Sequence, residues 1–208
     1  METTSFKLIE FFIIFILVPV SFAIDYPVWI KMCIGLVGFL YVIFILLRIE
    51  KNKFKITKNL NWNLFFKRIL IQLSGIAILT TLYMCFVDPE NLFVVLLNKP
   101  LLWLMILFVY SFFSVYPQEL VYRTFFFQRY QSLFKSEMLF IVINAALFSL
   151  GHIFFRNTLV MILTFLGGIL FALTYKKTKS TILVSIEHAI YGSWLFTVGM
   201  GDMLGFPS

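Results

Sequence analysis

The chain is a series of long apolar runs separated by short polar breaks. Residues 7–24, 28–47 and 69–86 carry almost no charge, and each approaches the roughly 20 residues a helix needs to cross a bilayer. A fourth run starts at Leu92 or Leu101 and continues to Tyr116. Pro117 follows. A proline inside a helix removes a donor and crowds the preceding turn, so the pattern predicts a break or kink there and a further helix over 117–131. Runs at 138–155, 157–175 and 181–200 complete the series. Asp25-Tyr26-Pro27 and Asp88-Pro89-Glu90-Asn91 read as turns, and Lys99-Pro100 as a helix start. Thr164, Gly168 and Ala172, four apart, predict a small-residue face for close helix packing. No run reads as a strand. The expected architecture is an all-α, polytopic integral membrane helical bundle with about 7–8 transmembrane helices.

Composition agrees. Of 208 residues, 61% are hydrophobic and the mean hydropathy is +0.96, against roughly 45–50% apolar in a soluble domain. The chain divides into N-terminal membrane helices (1–100), a core (101–200) and a short tail (201–208). The net charge of +7 excludes little by itself, but its placement does. Arg48, Lys51, Lys53, Lys55, Lys58, Lys67 and Arg68 crowd the loop 48–68 against a single acid, Glu50. Such a loop belongs on the cytoplasmic side. Lys7, Arg129, Lys135, Lys176, Lys177 and Lys179 then fall on that side too, and only Lys31, Lys99 and Arg156 on the other. The N-terminus is therefore expected inside. The basic residues serve topology, and no nucleic-acid partner is expected. Residues 60–66 suit the membrane interface, and Lys31 is placed to snorkel. Ser21-Phe22-Ala23 resembles a signal cleavage site, but Glu2 and Glu10 against Lys7 make a poor basic leader, so a retained first helix is expected. Cys33 and Cys85 lie in apolar runs and read as small packing residues.

Ionisable residues inside such runs mark function by default. Glu119 and Arg123 share a helix face at i, i+4 and admit two readings, a mutually neutralised pair or part of a site. The chain's histidines, His152 and His188, both fall in apolar runs. Counting about 1.5 Å per residue from the inner surface, Glu119 lies about 18–20 Å deep, His152 about 20 Å and His188 about 12 Å. Three helices thus deliver Glu, His and His to similar depth. A carboxylate beside imidazole can activate a water, and a second imidazole or amide can stabilise an oxyanion. The same set, Glu119, His152 and His188, equally suits a divalent metal such as zinc; the sequence leaves metal and metal-free chemistry open. Asn144 shares a face with Phe148 and His152 and is a candidate amide donor. Glu187 points about 100° away from His188 and is expected to pair with Arg123 or a neighbouring helix.

At these residues the chain resembles the CPBP family of membrane proteases (CAAX proteases and bacteriocin-processing enzymes, also called Abi). The pattern E-E-x-x-x-R is matched by Gln118-Glu119-Leu120-Val121-Tyr122-Arg123, F-x-x-x-H by Phe148 to His152, and H-x-x-x-N/D by His188 to Gly192. Order and spacing agree across about half of the chain. The resemblance implies intramembrane hydrolysis of a hydrophobic or lipidated peptide, in contact with membrane lipids, at a bacterial plasma membrane. Glu119 would activate water with Arg123 orienting it, His152 would hold the water and His188 would stabilise the oxyanion, with Gln118, Asn144 and Glu187 in support. Two departures stand out. Gln118 replaces the first glutamate of the pattern, and an amide is no base at neutral pH. Gly192 replaces the final amide or carboxylate. These departures favour a second reading, an inactive relative that binds a peptide or partner. A third is a proton-coupled transporter using the Glu–His–His set as a relay.

Overall fold

The computed structural model describes residues 3–52 and 60–205. Among them, seven helices are long and apolar enough to span a membrane. They are α1 (Thr4–Phe22), α2 (Val28–Ile49), α3 (Trp62–Val87), α5 (Pro100–Leu133), α6 (Glu137–Leu150, extended by a 3₁₀ turn at Ile153–Phe155), α7 (Thr158–Thr178) and α8 (Thr181–Val198). A short α4 (Val94–Asn98) precedes α5. The chain is an integral multi-pass membrane protein, as its hydropathy predicts. Thr3, Asn61, Ser136, Asn157 and Ser180 each cap a helix start by accepting a backbone N–H on the side chain, which satisfies donors no helix can pair internally.

Pro117 does not divide α5. The helix widens into a π-helical stretch at Tyr110–Val115, where the Tyr116 N–H reaches back to the Ser111 carbonyl. Pro117 then enters the first turn of a renewed α-helix, where its missing N–H costs little. A second wide stretch follows at Leu120–Phe125. The same device recurs in α1. Ile13–Leu17 is π-helical, Val18 N–H bonds to the Ile13 carbonyl, and Pro19 follows directly. The expected helix boundary at 117 is thus replaced by one span of 34 residues.

The interior is aromatic. Phe15, Phe125, Phe126, Tyr130 and Phe140 are fully buried and meet edge to face or stacked, as Phe15 does on Phe126 at 5.2 Å. Gly168 presses α7 onto α6: a Cβ there would lie 2.9 Å from Ala145 Cα, so the small-residue face does what its spacing predicts. Large apolar side chains such as Phe86 and Leu101 point outward, toward lipid. Cys33 and Cys85 are free and also face outward, not inward as packing residues.

The first helix is tied in by charge. Buried Glu10 accepts from Arg129 Nε at 2.8 Å, from Tyr130 Oη at 2.8 Å, and from Tyr41 Oη. Arg129 Nη1 also reaches Glu50 at 3.1 Å. The basic loop is shorter than its charge run. Residues 53–59, with Lys53, Lys55 and Lys58, lie outside the described residues, while Lys67 and Arg68 belong to α3. The stretch 60–66 is the cap and first turns of that spanning helix, not a separate interfacial segment. At the opposite end Lys31 Nζ donates to the Phe22 carbonyl at 2.6 Å, and Arg156 pairs with Asp25 at 2.5 Å.

Candidate active site

Tyr110, Ser114, Gln118 and Tyr122 succeed one another every four residues along α5, and all four line one cavity of about 310 Å³. In an ideal α-helix this spacing drifts off the face, because a turn takes about 3.6 residues. The wide turns on either side of Pro117 raise the residues per turn and keep the row in register. The end of α6 contributes Phe148, Gly151 and His152; α7 contributes Thr164 and Phe171; α8 contributes His188, Tyr191 and Gly192.

Glu119 stands one residue along from this row and behind it. It is fully buried and is not among the cavity-lining residues. One carboxylate oxygen lies 2.7 Å from His188 Nδ1. The other lies 3.3 Å from Arg123 Nε. Arg123 is fully buried in turn. Its Nη1 donates to Asn144 Oδ1 at 2.6 Å, and its guanidinium stacks over the Phe148 ring at 4.7 Å. Such a cation–π contact gains strength where water is excluded. Asn144 Nδ2 donates to the Tyr122 carbonyl at 2.6 Å. The Asn144 side chain therefore holds Arg123 from behind and is not presented to the cavity as an amide donor.

The hydrogen bonds fix both imidazoles. A carboxylate oxygen and a peptide carbonyl can only accept. His188 Nδ1 therefore carries the proton it shares with Glu119. His152 Nδ1, 2.7 Å from the Phe148 carbonyl, carries one as well. In each neutral ring Nε2 is then the free acceptor, and both rings line the cavity. They pack against the same phenyl ring, Phe148, at 4.8 Å and 5.6 Å between centroids. His152 lies beyond the α-helix that its run predicted. It sits in the turn after α6, with φ −103° and ψ 7°.

Gln118 occupies the cavity-facing position. Its Nε2 donates to Ser114 Oγ at 2.8 Å. Its buried Oε1 has no hydrogen-bond partner among the described residues. Glu187 belongs to a second polar group, where α8 meets α3 and α7. It pairs with Arg68 of α3 at 3.2 Å, not with Arg123, and accepts from Tyr191 Oη at 3.2 Å. Arg68 also donates to Thr174 at 2.5 Å.

Tyr110 was not a sequence candidate. A Cβ added at Gly192 would overlap its hydroxyl, and a Cβ at Gly151 would overlap the hydroxyl of Tyr122. Both tyrosines thus set their phenols directly against backbone, in space that any other residue at 192 or 151 would fill. The four-residue row of Tyr110, Ser114, Gln118 and Tyr122 was the available signal.

Glu119, His152 and His188 do not fit a shared metal ion. An ion bound at Glu119 would have to displace the His188 Nδ1 proton and sit beside the Arg123 guanidinium. Among the described residues, no group of three or more His, Cys, Asp or Glu side chains is placed to hold a metal.

Residues 100–194 match the family model described as Type II CAAX prenyl endopeptidase Rce1-like, which falls within the CPBP family that the three motifs point to. The match opens at the first residue of α5 and closes inside α8, and so includes every motif residue. Searches of curated proteins and of solved structures gave no match.

Proposed function

We propose that this protein is an intramembrane peptidase. It hydrolyses a bond in a hydrophobic or lipidated peptide held in the cavity between α5, α6, α7 and α8. The observation that carries this reading is the His188–Glu119 pair: an imidazole facing the cavity with its rear nitrogen on a buried carboxylate. The match of residues 100–194 to a peptidase family supports the reaction class.

In this mechanism Glu119 acts through His188 and does not itself touch water. A water held by His152 Nε2 or Gln118 Oε1 gives a proton to His188 Nε2. Its oxygen bonds to the peptide carbonyl carbon, and the carbonyl π electrons move to oxygen. The Tyr110 hydroxyl donates to that oxyanion, the task the resemblance assigns to a side chain at position 192. Collapse of the adduct breaks the C–N bond, and the departing amine takes the proton from the His188 imidazolium. Glu119 stabilises that imidazolium while it exists, as the carboxylate of a triad does. Arg123 and Asn144 hold the carboxylate in place.

Gln118 favours one other reading, a peptide-binding protein without hydrolysis, because an amide occupies the cavity wall where the resembling family has a carboxylate. The two part company on one experiment. Purified protein in nanodiscs is given hydrophobic and lipidated peptides, with His188→Ala and His152→Ala alongside. Cleavage lost in both variants establishes the peptidase. Binding without cleavage, with cleavage gained in Gln118→Glu, establishes the binding protein.

A further inference from the structure

Two buried groups that the proposed reaction leaves idle, Glu187 and Tyr191, lie one turn apart on α8. The Tyr191 phenol donates to Glu187 Oε1 at 3.2 Å and to Gln72 Oε1 of α3 at 2.8 Å. Glu187 is held in turn by Arg68 at 3.2 Å. Residues of α3 and α8 thus fix one side chain of the cavity wall, Tyr191.

Phe171 of α7 packs on both Tyr191 and His188. Its ring lies nearly parallel to Tyr191, with centroids 6.1 Å apart at 24°, and nearly parallel to the His188 imidazole at 4.3 Å and 22°. The other aromatic neighbours described for His188, Tyr110 and Phe148, stand almost perpendicular to it, at 83° and 80°. Phe171 is therefore the neighbour that lies flat against the imidazole. Gly167, one turn earlier, makes room for it. A Cβ there would lie 3.2 Å from Phe171 Cε2 and 3.4 Å from Cζ, because a helical side chain leans back over the preceding turn. The adjacent glycines of α7 thus serve different neighbours: Gly168 the approach of α6, Gly167 the tilt of this ring.

The χ2 torsion of a histidine is intrinsically broad, and a flat neighbour narrows it. The π face of that neighbour also attracts the imidazole once it is cationic. We infer that Phe171 is a positioning residue: stacked on His188, it keeps Nδ1 on Glu119 and Nε2 toward the cavity, and Tyr191, anchored on Gln72 and Glu187, keeps the phenyl ring in place. The inference rests on the peptidase reading for the reaction this serves.

The test uses the full chain in nanodiscs and a fluorogenic hydrophobic peptide. Phe171→Leu removes the ring face. Tyr191→Phe removes the anchor and keeps the ring. Phe140→Leu is the control, a buried phenylalanine that does not line the cavity. Phe171→Leu should lower kcat about tenfold with KM within about twofold, as expected of a desolvated cation–π contact felt by the imidazolium alone. Tyr191→Phe should act in the same direction and by less, and Phe140→Leu should leave kcat unchanged. A rise in KM with kcat intact in Phe171→Leu overturns the inference, and so does an equal fall in kcat in Phe140→Leu. The second readout needs no turnover. In a His152→Ala background His188 is the remaining histidine, and solid-state NMR of isotope-labelled histidine follows its ring nitrogens. The expected spectrum shows the Nδ1–H tautomer alone, which Phe171→Leu and Tyr191→Phe convert to a mixture. A spectrum unchanged in both variants overturns the inference whatever the kinetics. If the wild type cleaves no peptide while the spectrum responds as expected, the positioning of His188 stands and the peptidase reading fails. Where Phe171→Leu does not fold, Tyr191→Phe decides both readouts.

Discussion

His188 Nδ1 lies 2.7 Å from Glu119 Oε1, a contact between side chains 69 positions apart on α5 and α8. The carboxylate is wholly buried, does not line the cavity, and reaches this cavity-lining ring by a hydrogen bond. The ion pair with Arg123 therefore has two consequences at once. It keeps a buried charge compensated, and it holds the carboxylate where an imidazolium on His188 would need it.

These roles separate by mutation. Glu119→Gln keeps shape and removes charge. Turnover should fall about 10³–10⁴-fold, as when a triad carboxylate becomes an amide. Stability should fall by about 3–5 kcal/mol, because Arg123 is left buried without its partner. Adding Arg123→Met to Glu119→Gln should recover most of the lost stability, since an apolar replacement of a whole buried pair is often neutral. It should recover no turnover. Thermal unfolding in detergent and peptide cleavage read the two effects. Recovery of turnover in the double variant would deny Glu119 its chemical role.

Gly192 should be intolerant of any side chain while Tyr110 is present. Gly192→Ala puts its methyl into the phenol, and overpacking of this kind costs about 1–3 kcal/mol. The double variant Gly192→Ala with Tyr110→Ala should return to near the stability of Tyr110→Ala alone, a coupling that a double-mutant cycle in thermal unfolding measures. Independent, additive effects would show that the glycine is not there for the tyrosine.

The spans were legible because bilayer crossing imposes length and hydropathy on each helix separately. Glu119, Arg123, His152 and His188 were legible because ionisable residues stand out in oil. What the pattern hid depended on helix geometry. Adjacent positions 118 and 119 point about 100° apart, and the choice of which faces the cavity was set by the wide turns around Pro117. Those turns also replaced the expected break at 117 and aligned Tyr110 with the site. Asn144 shared the right face, yet its amide is spent on Arg123 and the Tyr122 carbonyl. Arg68 read as part of a basic loop, but α3 begins early enough to place it against Glu187. None of these follows from residue type and spacing without the tertiary partner.

Glu10→Gln should loosen α1 from the bundle without touching the cavity. It leaves Arg129, almost fully buried, with Glu50 as its remaining carboxylate partner among the ion pairs described. The expected loss is about 1.5–3 kcal/mol of stability, the worth of a charged hydrogen bond, since Arg129 keeps its pairing with Glu50; it is seen as earlier thermal unfolding and faster proteolysis of the first helix. At temperatures where the variant is folded, kcat should be unchanged, because no residue of this cluster lines the cavity.

Tyr110→Phe removes one oxygen and little volume, so it tests the proposed oxyanion contact without disturbing the packing on Gly192. An oxyanion donor acts on the transition state more than on bound substrate. Its loss should lower kcat about 10²–10³-fold, with KM nearly unchanged. Tyr122→Phe is the matched control: it also lines the cavity and also lies against a glycine, Gly151, but has no step in the proposed reaction. If both variants lose turnover equally, the phenols serve only to shape the cavity. If Tyr110→Phe raises KM and leaves kcat intact, the hydroxyl binds substrate and the oxyanion must be held by another group. A selective fall in kcat at Tyr110 would place the lost side chain of position 192 on α5, carried there by the wide turn that begins at Tyr110 itself.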